Sequence, residues 1–290
     1  MSTPLHSAPH RPFDRNLVAR HLQRRPGDFA DFVTALAKDD LAERLIAVTR
    51  EFSRALIMAP DARPLPIMGK SRNGAFRFER AASVLTSPGA LAIDPEALEL
   101  PHDDYDLIVS IFDMQVVNDV PGFLARIRGH LRPDGLFLAA AVGGDTLTEL
   151  RQAFLAADSE LSGGAFARIA PFVPLADAGR LLQRAGFALP VADVETHRVR
   201  YDDAFALMKD IKRLGAANPL ADRPGRLATR TLIARAAEHY AEIATDPDGR
   251  VHATLEILWL SGWAPHESQQ KPLAPGSARV SLASVLGKKV

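Results

Sequence analysis

"YDLIVSIFDMQVVNDVPGFLARIRGHLRPDGLFLAAAV", residues 105–142, contains two near-continuous apolar runs, Leu107 to Phe112 and Leu136 to Val142, separated by a helical pattern. Runs of this kind belong to strands covered on both faces. Between them Phe123, Leu124, Ile127 and Leu131 fall on one side of a helix, and the turn "RPDG" closes it. A strand, a crossover and a second buried strand predict an α/β fold with a mainly parallel sheet.

Working outward, shorter β-like runs at Arg54 to Met58, Ala75 to Phe78 and Leu91 to Ile93 precede this unit. Phe32, Leu36, Leu41, Leu45, Val48 and Phe52 recur at helical spacing ahead of them, which predicts a helical cap over residues 1–52. After Val142 the pattern changes to longer helices at 146–155, 175–185, 201–214 and 226–243, then a β-like run from Val251 to Trp259. The chain therefore divides into the cap and an α/β domain at 53–290 that carries a helical insertion at about 201–245.

Thirty-five basic residues balance 35 acidic ones, so no overall field draws the chain to nucleic acid or an anionic surface. Cysteine is absent, which removes disulfides, thiolate metal ligands and a cysteine nucleophile, and fits a reducing compartment. No stretch approaches the roughly 20 apolar residues that span a bilayer. The expected location is cytoplasmic, with room for peripheral contact at the inner membrane.

The segment from Leu98 to Arg151 resembles the second half of a class I, S-adenosylmethionine-dependent methyltransferase, a Rossmann-like fold. The resemblance narrows downstream. "GGDTLTELR" at 143–151, "IAPFVPLADAGRLLQRAGF" at 169–187 and "HESQQKPLAPGSARVS" at 266–281 are similar to the bacterial relatives of mitochondrial complex I assembly factor five. That family is associated with hydroxylation of an arginine on a quinone-module subunit of respiratory complex I. The resemblance implies a protein client of this kind and S-adenosylmethionine as cofactor.

Carried over by residue, the resemblance breaks at the first turn. "SRALIMAPDARPLPIM", 53–68, places Ile57 to Arg63 where the family has an acidic residue and a glycine-rich cradle for the methionine part of the cofactor. No glycine is present there, and Pro60, Pro64 and Pro66 remove three backbone donors and disfavour a helix. The turn predicts an irregular loop and weakened or lost cofactor binding. Glu79, at the expected end of the second strand, corresponds to the ribose-binding acid, and Asp94 to the acid that accepts the adenine amino group. "QVVND" stands where the family has "HWVND", which keeps Asn118 and Asp119 but puts Gln115 and Val116 in the pocket wall.

Gly143 and Gly144 permit close backbone approach at the carboxyl edge of the sheet, where ligands of open α/β folds bind. Asp145 and Glu149 are the candidate catalytic groups beside them. The alternative is that Thr146 and Glu149 form a capping box for the next helix. His266 is the third candidate, with a hydrogen-bonded structural corner as the alternative. His102 and Asp104 have the His-x-Asp spacing of an iron site, but a polar loop ahead of a buried strand explains them and no metal is expected. Two functions follow: a client-binding assembly factor with a degraded cofactor loop, or an active enzyme with an unusual cofactor loop, either an arginine hydroxylase or an S-adenosylmethionine-dependent methyltransferase of a small molecule or protein. In the first, the loop after Val142 and the tail around His266 are expected to meet over the carboxyl edge.

Overall fold

The computed structural model describes residues 11–27, 29–85, 88–225 and 227–270. Two helices come first, α1 (Arg15–Gln23) and α2 (Phe32–Ala47), each capped by an aspartate side chain, Asp14 and Asp31. The strands β1 (Ala55–Ala59), β2 (Met68–Ser71), β3 (Gly74–Ala82), β4 (Leu91–Ala92), β5 (Tyr105–Ile111) and β6 (Leu131–Val142) follow, with α3 (Val120–His130) crossing between the last two. Then come α4 (Thr148–Ser162), α5 (Leu175–Arg184), β7 (Ala188–Tyr201), α6 (Ala204–Arg213), α7 (Arg230–Ala244) and β8 (Val251–Trp263).

All eight strands share one sheet in the order β2-β3-β1-β5-β6-β8-β7, with β4 paired to β3. The pairs among β1, β3, β4, β5 and β6 are parallel, and β8 enters antiparallel between β6 and β7. A mainly parallel sheet with an antiparallel strand inserted before the last edge is the class I methyltransferase arrangement.

Alternation along the strands divides the core. Leu56, Met58, Tyr105 and Ile108 pack with Phe123, Leu124 and Ile127 of α3 and Leu182 of α5. Ala55, Ile57, Leu107 and Val109 face the opposite way, onto Ala37, Leu41 and Leu45 of α2. A third cluster joins α4, α6 and α7 around Tyr240, Ala253 and Leu207 beside the start of β8. These helices and the start of β8 thus lie beyond the carboxyl end of β6, whose last residue Val142 pairs with Ile257. Among the described residues no helix is long and apolar enough to cross a membrane.

Two strands escape the sequence pattern. β2 is four residues, and β7 is an edge strand whose polar, charged sequence contains Pro190 and a register shift between Ala188 and Val191. β3 also runs three residues past Glu79, because Arg80, Ala81 and Ala82 continue pairing with Ile57, Met58 and Ala59. The residues between β1 and β2 form no helix, as the prolines require.

Candidate functional site

The carboxyl ends of β1, β3, β5 and β6 converge on a ring of charge. At the turn after β1, Asp61 accepts from Arg63 Nε at 2.7 Å and from Arg25 Nη1 at 2.5 Å, while the other arm of Arg25 reaches Asp31 at 2.6 Å. Burial would raise the Asp61 carboxyl, but the guanidiniums of Arg63 and Arg25 outweigh it and hold the group below its ordinary value. Arg63 itself is 9% exposed. Its guanidinium lies over the Phe112 ring at 5.6 Å from the centroid, and its carbonyl accepts from Arg80 at 2.9 Å.

A second group closes the ends of β3 and β5. The Ser83 hydroxyl donates to Asp113, which is fully buried with its second oxygen unpartnered among the described residues. Burial pushes the Asp113 carboxyl up to about 6, against the Ser83 bond and the positive charges of Arg63 and Arg15. Arg15 of the cap donates to the Ser83 carbonyl at 2.6 Å and to the Val116 carbonyl at 3.2 Å.

The residues assigned to the ribose and adenine are engaged with the protein. Glu79 is exposed, lies inside β3 rather than at its end, and accepts from the Tyr105 hydroxyl at 3.1 Å. Asp94 caps the one-turn helix Pro95–Ala97 through the Glu96 N–H at 3.0 Å. The Glu96 carboxylate accepts from the Asn118 N–H and side-chain amide and from the Asp119 N–H at 2.7 to 3.0 Å. Asn118 Oδ1 accepts from the Phe13 N–H of the N-terminal segment at 2.8 Å, and Asp119 caps α3.

The glycines after β6 make room for protein. A Cβ on Gly143 would lie 2.6 Å from the Glu256 Cβ, and one on Gly144 3.2 Å from the Pro174 Cα. Glu256 on β8 also accepts from the Asp145 N–H at 2.8 Å, leaving the Asp145 side chain exposed. The capping box does not form. Leu147 is the cap residue of α4 and makes no side-chain bond, while Thr146 and Glu149 reach across to β8. The Glu256 N–H donates to the Thr146 hydroxyl at 2.9 Å, and Glu149 accepts from the Thr254 N–H at 3.2 Å and from its hydroxyl.

His266 lies at the other edge. Because β8 is antiparallel to β6, its end at Trp263 pairs with Leu136, while Ile257 pairs with Val142. Gln269 accepts from the His266 N–H at 3.2 Å and donates to Asp134 at 3.0 Å, which builds a hydrogen-bonded corner at the amino edge. From Asp134 to Val142 is roughly 26 Å of strand, so the expected meeting of His266 with the loop after Val142 does not occur. The tail from Lys271 lies outside the described residues. His102 packs edge-on against Tyr105 and Asp104 pairs with Arg54, also at the amino end of β5.

A cavity of about 210 Å³ opens between the carboxyl edge and the helices above it. Its largely apolar wall includes Leu22 of α1, Phe112, Leu147, Phe172 and Ile211 of α6, with Arg63, Gln115 and His21 among its polar groups. Phe112 (φ 60°) and Leu147 (φ 56°) hold the left-handed backbone region without being glycine. Gln115 Oε1 and His21 Nδ1 have no hydrogen-bond partner among the described residues. Burial holds the His21 imidazole below its ordinary value. Gln115 was legible as an altered wall residue. Arg63, Asp113 and His21 were not, because nothing in the spacing announces partners that only the fold brings together.

No family model matches the chain. Among curated proteins, the mitochondrial arginine-hydroxylase NDUFAF5 of Danio rerio is 40% identical over 295 residues, covering 94% of this chain and 91% of the relative. A malonyl-[acyl-carrier protein] O-methyltransferase of Laribacter hongkongensis is 37% identical over 193 residues, 66% of this chain and 61% of that one. Among solved structures, the YcgJ protein from Bacillus subtilis aligns with a TM-score of 0.45 at 12% identity, over 80% of this chain and 99% of that one.

Proposed function

The chain belongs to the family of the arginine-hydroxylase NDUFAF5, and from that premise we propose that it acts in respiratory complex I assembly by engaging a quinone-module subunit as its protein client. The work is done on a methyltransferase fold whose cofactor seat is closed by the chain's own side chains. It takes place in the cytoplasm, before the client reaches the inner membrane.

The observation that carries the closed seat is the Arg25–Asp61–Arg63 cluster. In this family's plan, the turn after β1 offers backbone N–H groups and open space to the methionine part of S-adenosylmethionine. Here the turn has three prolines and no glycine, its one acid is held between two guanidiniums, and Arg63 is folded into the site. Asn118 and Asp119, the cofactor positions that the resemblance retains, are taken up by Glu96 and Phe13. The residues present do not fit the cofactor.

Deletion of the gene tests the assembly reading: assembled complex I should fall and a subcomplex should accumulate, and a tagged copy should retain the quinone-module subunit on purification. Normal complex I in the deletion strain would refute it. A second reading, an active S-adenosylmethionine-dependent methyltransferase of a small molecule or protein, is favoured by the 37% identity with the malonyl-[acyl-carrier protein] O-methyltransferase. It requires cofactor binding that the closed turn opposes.

A further inference from the structure

We infer that the cavity over the carboxyl edge is a binding site for a small apolar monocarboxylic acid, whose carboxylate is held by Arg63 and whose hydrocarbon body lies against Phe112, Leu147 and Ile211. The inference stands on the cavity alone and is independent of the complex I reading.

Arg63 makes the case for an anion. It is 9% exposed and lines the cavity, yet only its Nε is engaged, by Asp61 at 2.7 Å. Its two terminal nitrogens have no hydrogen-bond partner among the described residues and are not sealed from solvent-accessible space. Terminal donors that open onto the cavity and have no protein partner among the described residues are free to take a ligand, and the planar fork matches a carboxylate through two parallel bonds.

The neighbouring charges set the number at one. Arg168, the other lining arginine, is spent on Asp158 through bonds of 2.6 and 2.7 Å. Arg25 is spent on Asp31 and Asp61. A cationic ligand would face Arg63 with Asp61 already doubly engaged, and a dianion would find no second free cation among the described lining residues.

Size and wall set the rest of the molecule. The cavity of about 210 Å³ exceeds the roughly 150 Å³ that admits benzene and falls short of the roughly 300–1,000 Å³ of sites for drug-sized ligands. One ring, or a chain of several carbons, suits it. The lining also holds two of the four non-glycine residues with positive φ in the described chain, Phe112 and Leu147, and such strain concentrates where a site is being shaped.

The test is calorimetric titration of the purified full chain with octanoate, octanol and octylamine. Octanoate should bind, octanol at least tenfold more weakly, and octylamine not at all. Arg63→Met should abolish the preference for octanoate over octanol. Ile211→Trp, which fills the cavity from α6 and leaves Arg63 in place, should abolish binding of both, and it keeps the test decisive if the Arg63 variant does not fold. Absence of octanoate binding at millimolar concentration, equal binding of octylamine, or octanoate binding unchanged in the folded variants would overturn the inference.

Discussion

Arg63 Nε donates to Asp61 Oδ1 at 2.7 Å, two residues away along the chain, while Arg25 from the N-terminal cap holds the other oxygen at 2.5 Å. The turn after β1 is therefore locked to the cap through one carboxylate. All three side chains are about nine-tenths buried, with 8 to 12% of their surface exposed. Removing one partner of such a group strands the others. Asp61→Ala should cost about 3 kcal/mol in urea unfolding. A change below about 0.5 kcal/mol would mean that the cap and turn are held by apolar packing alone.

Asp113 gives a signed pH dependence. Its carboxyl is raised to about 6 in the folded chain by burial, so between the ordinary carboxylate range and pH 6 the folded state holds a proton that the unfolded state has released. This contribution is complete below about pH 4 and is lost as pH rises through about 6, by up to about 3 kcal/mol. Asp113→Asn removes the titration. The stability difference between variant and wild type should shift in favour of the variant from pH 4 to pH 7, measured by denaturant unfolding; a difference that is flat with pH would contradict the buried, raised carboxyl.

Asp145 and Glu149 should separate. The Asp145 side chain is exposed and only its N–H is engaged, so Asp145→Ala should change stability by less than about 0.5 kcal/mol while lowering retention of the protein client. Glu149 accepts two bonds from Thr254 and ties α4 to β8, so Glu149→Ala should cost about 1–3 kcal/mol. Thermal unfolding and client retention on the same two variants check both. Equal destabilisation, with retention falling only in proportion to folded protein, would make the whole motif structural.

The parts of the fold that were legible in sequence are those where burial writes a local pattern. Leu107 to Ile111 and Leu136 to Val142 are buried or nearly so along their length, and α3 presents Phe123, Leu124 and Ile127 to the core as its spacing requires. β7 was hidden because its exposed edge alternates charge with small apolar residues. The site was less legible still. The prolines foretold an irregular turn with no helix, but Arg25 and Asp61 are 36 residues apart and Ser83 and Asp113 are 30 apart, so the groups around it are assembled by topology. His266 and Asp145 both looked functional, yet the antiparallel entry of β8, invisible in any short window, sets them at opposite edges.

Calorimetric titration of the purified protein with S-adenosylmethionine tests most directly whether the chain's own side chains close the cofactor's seat. Binding should be absent or weaker than millimolar. A dissociation constant near 1 μM, about −8 kcal/mol, would contradict the closed seat and make the methyltransferase reading the stronger one.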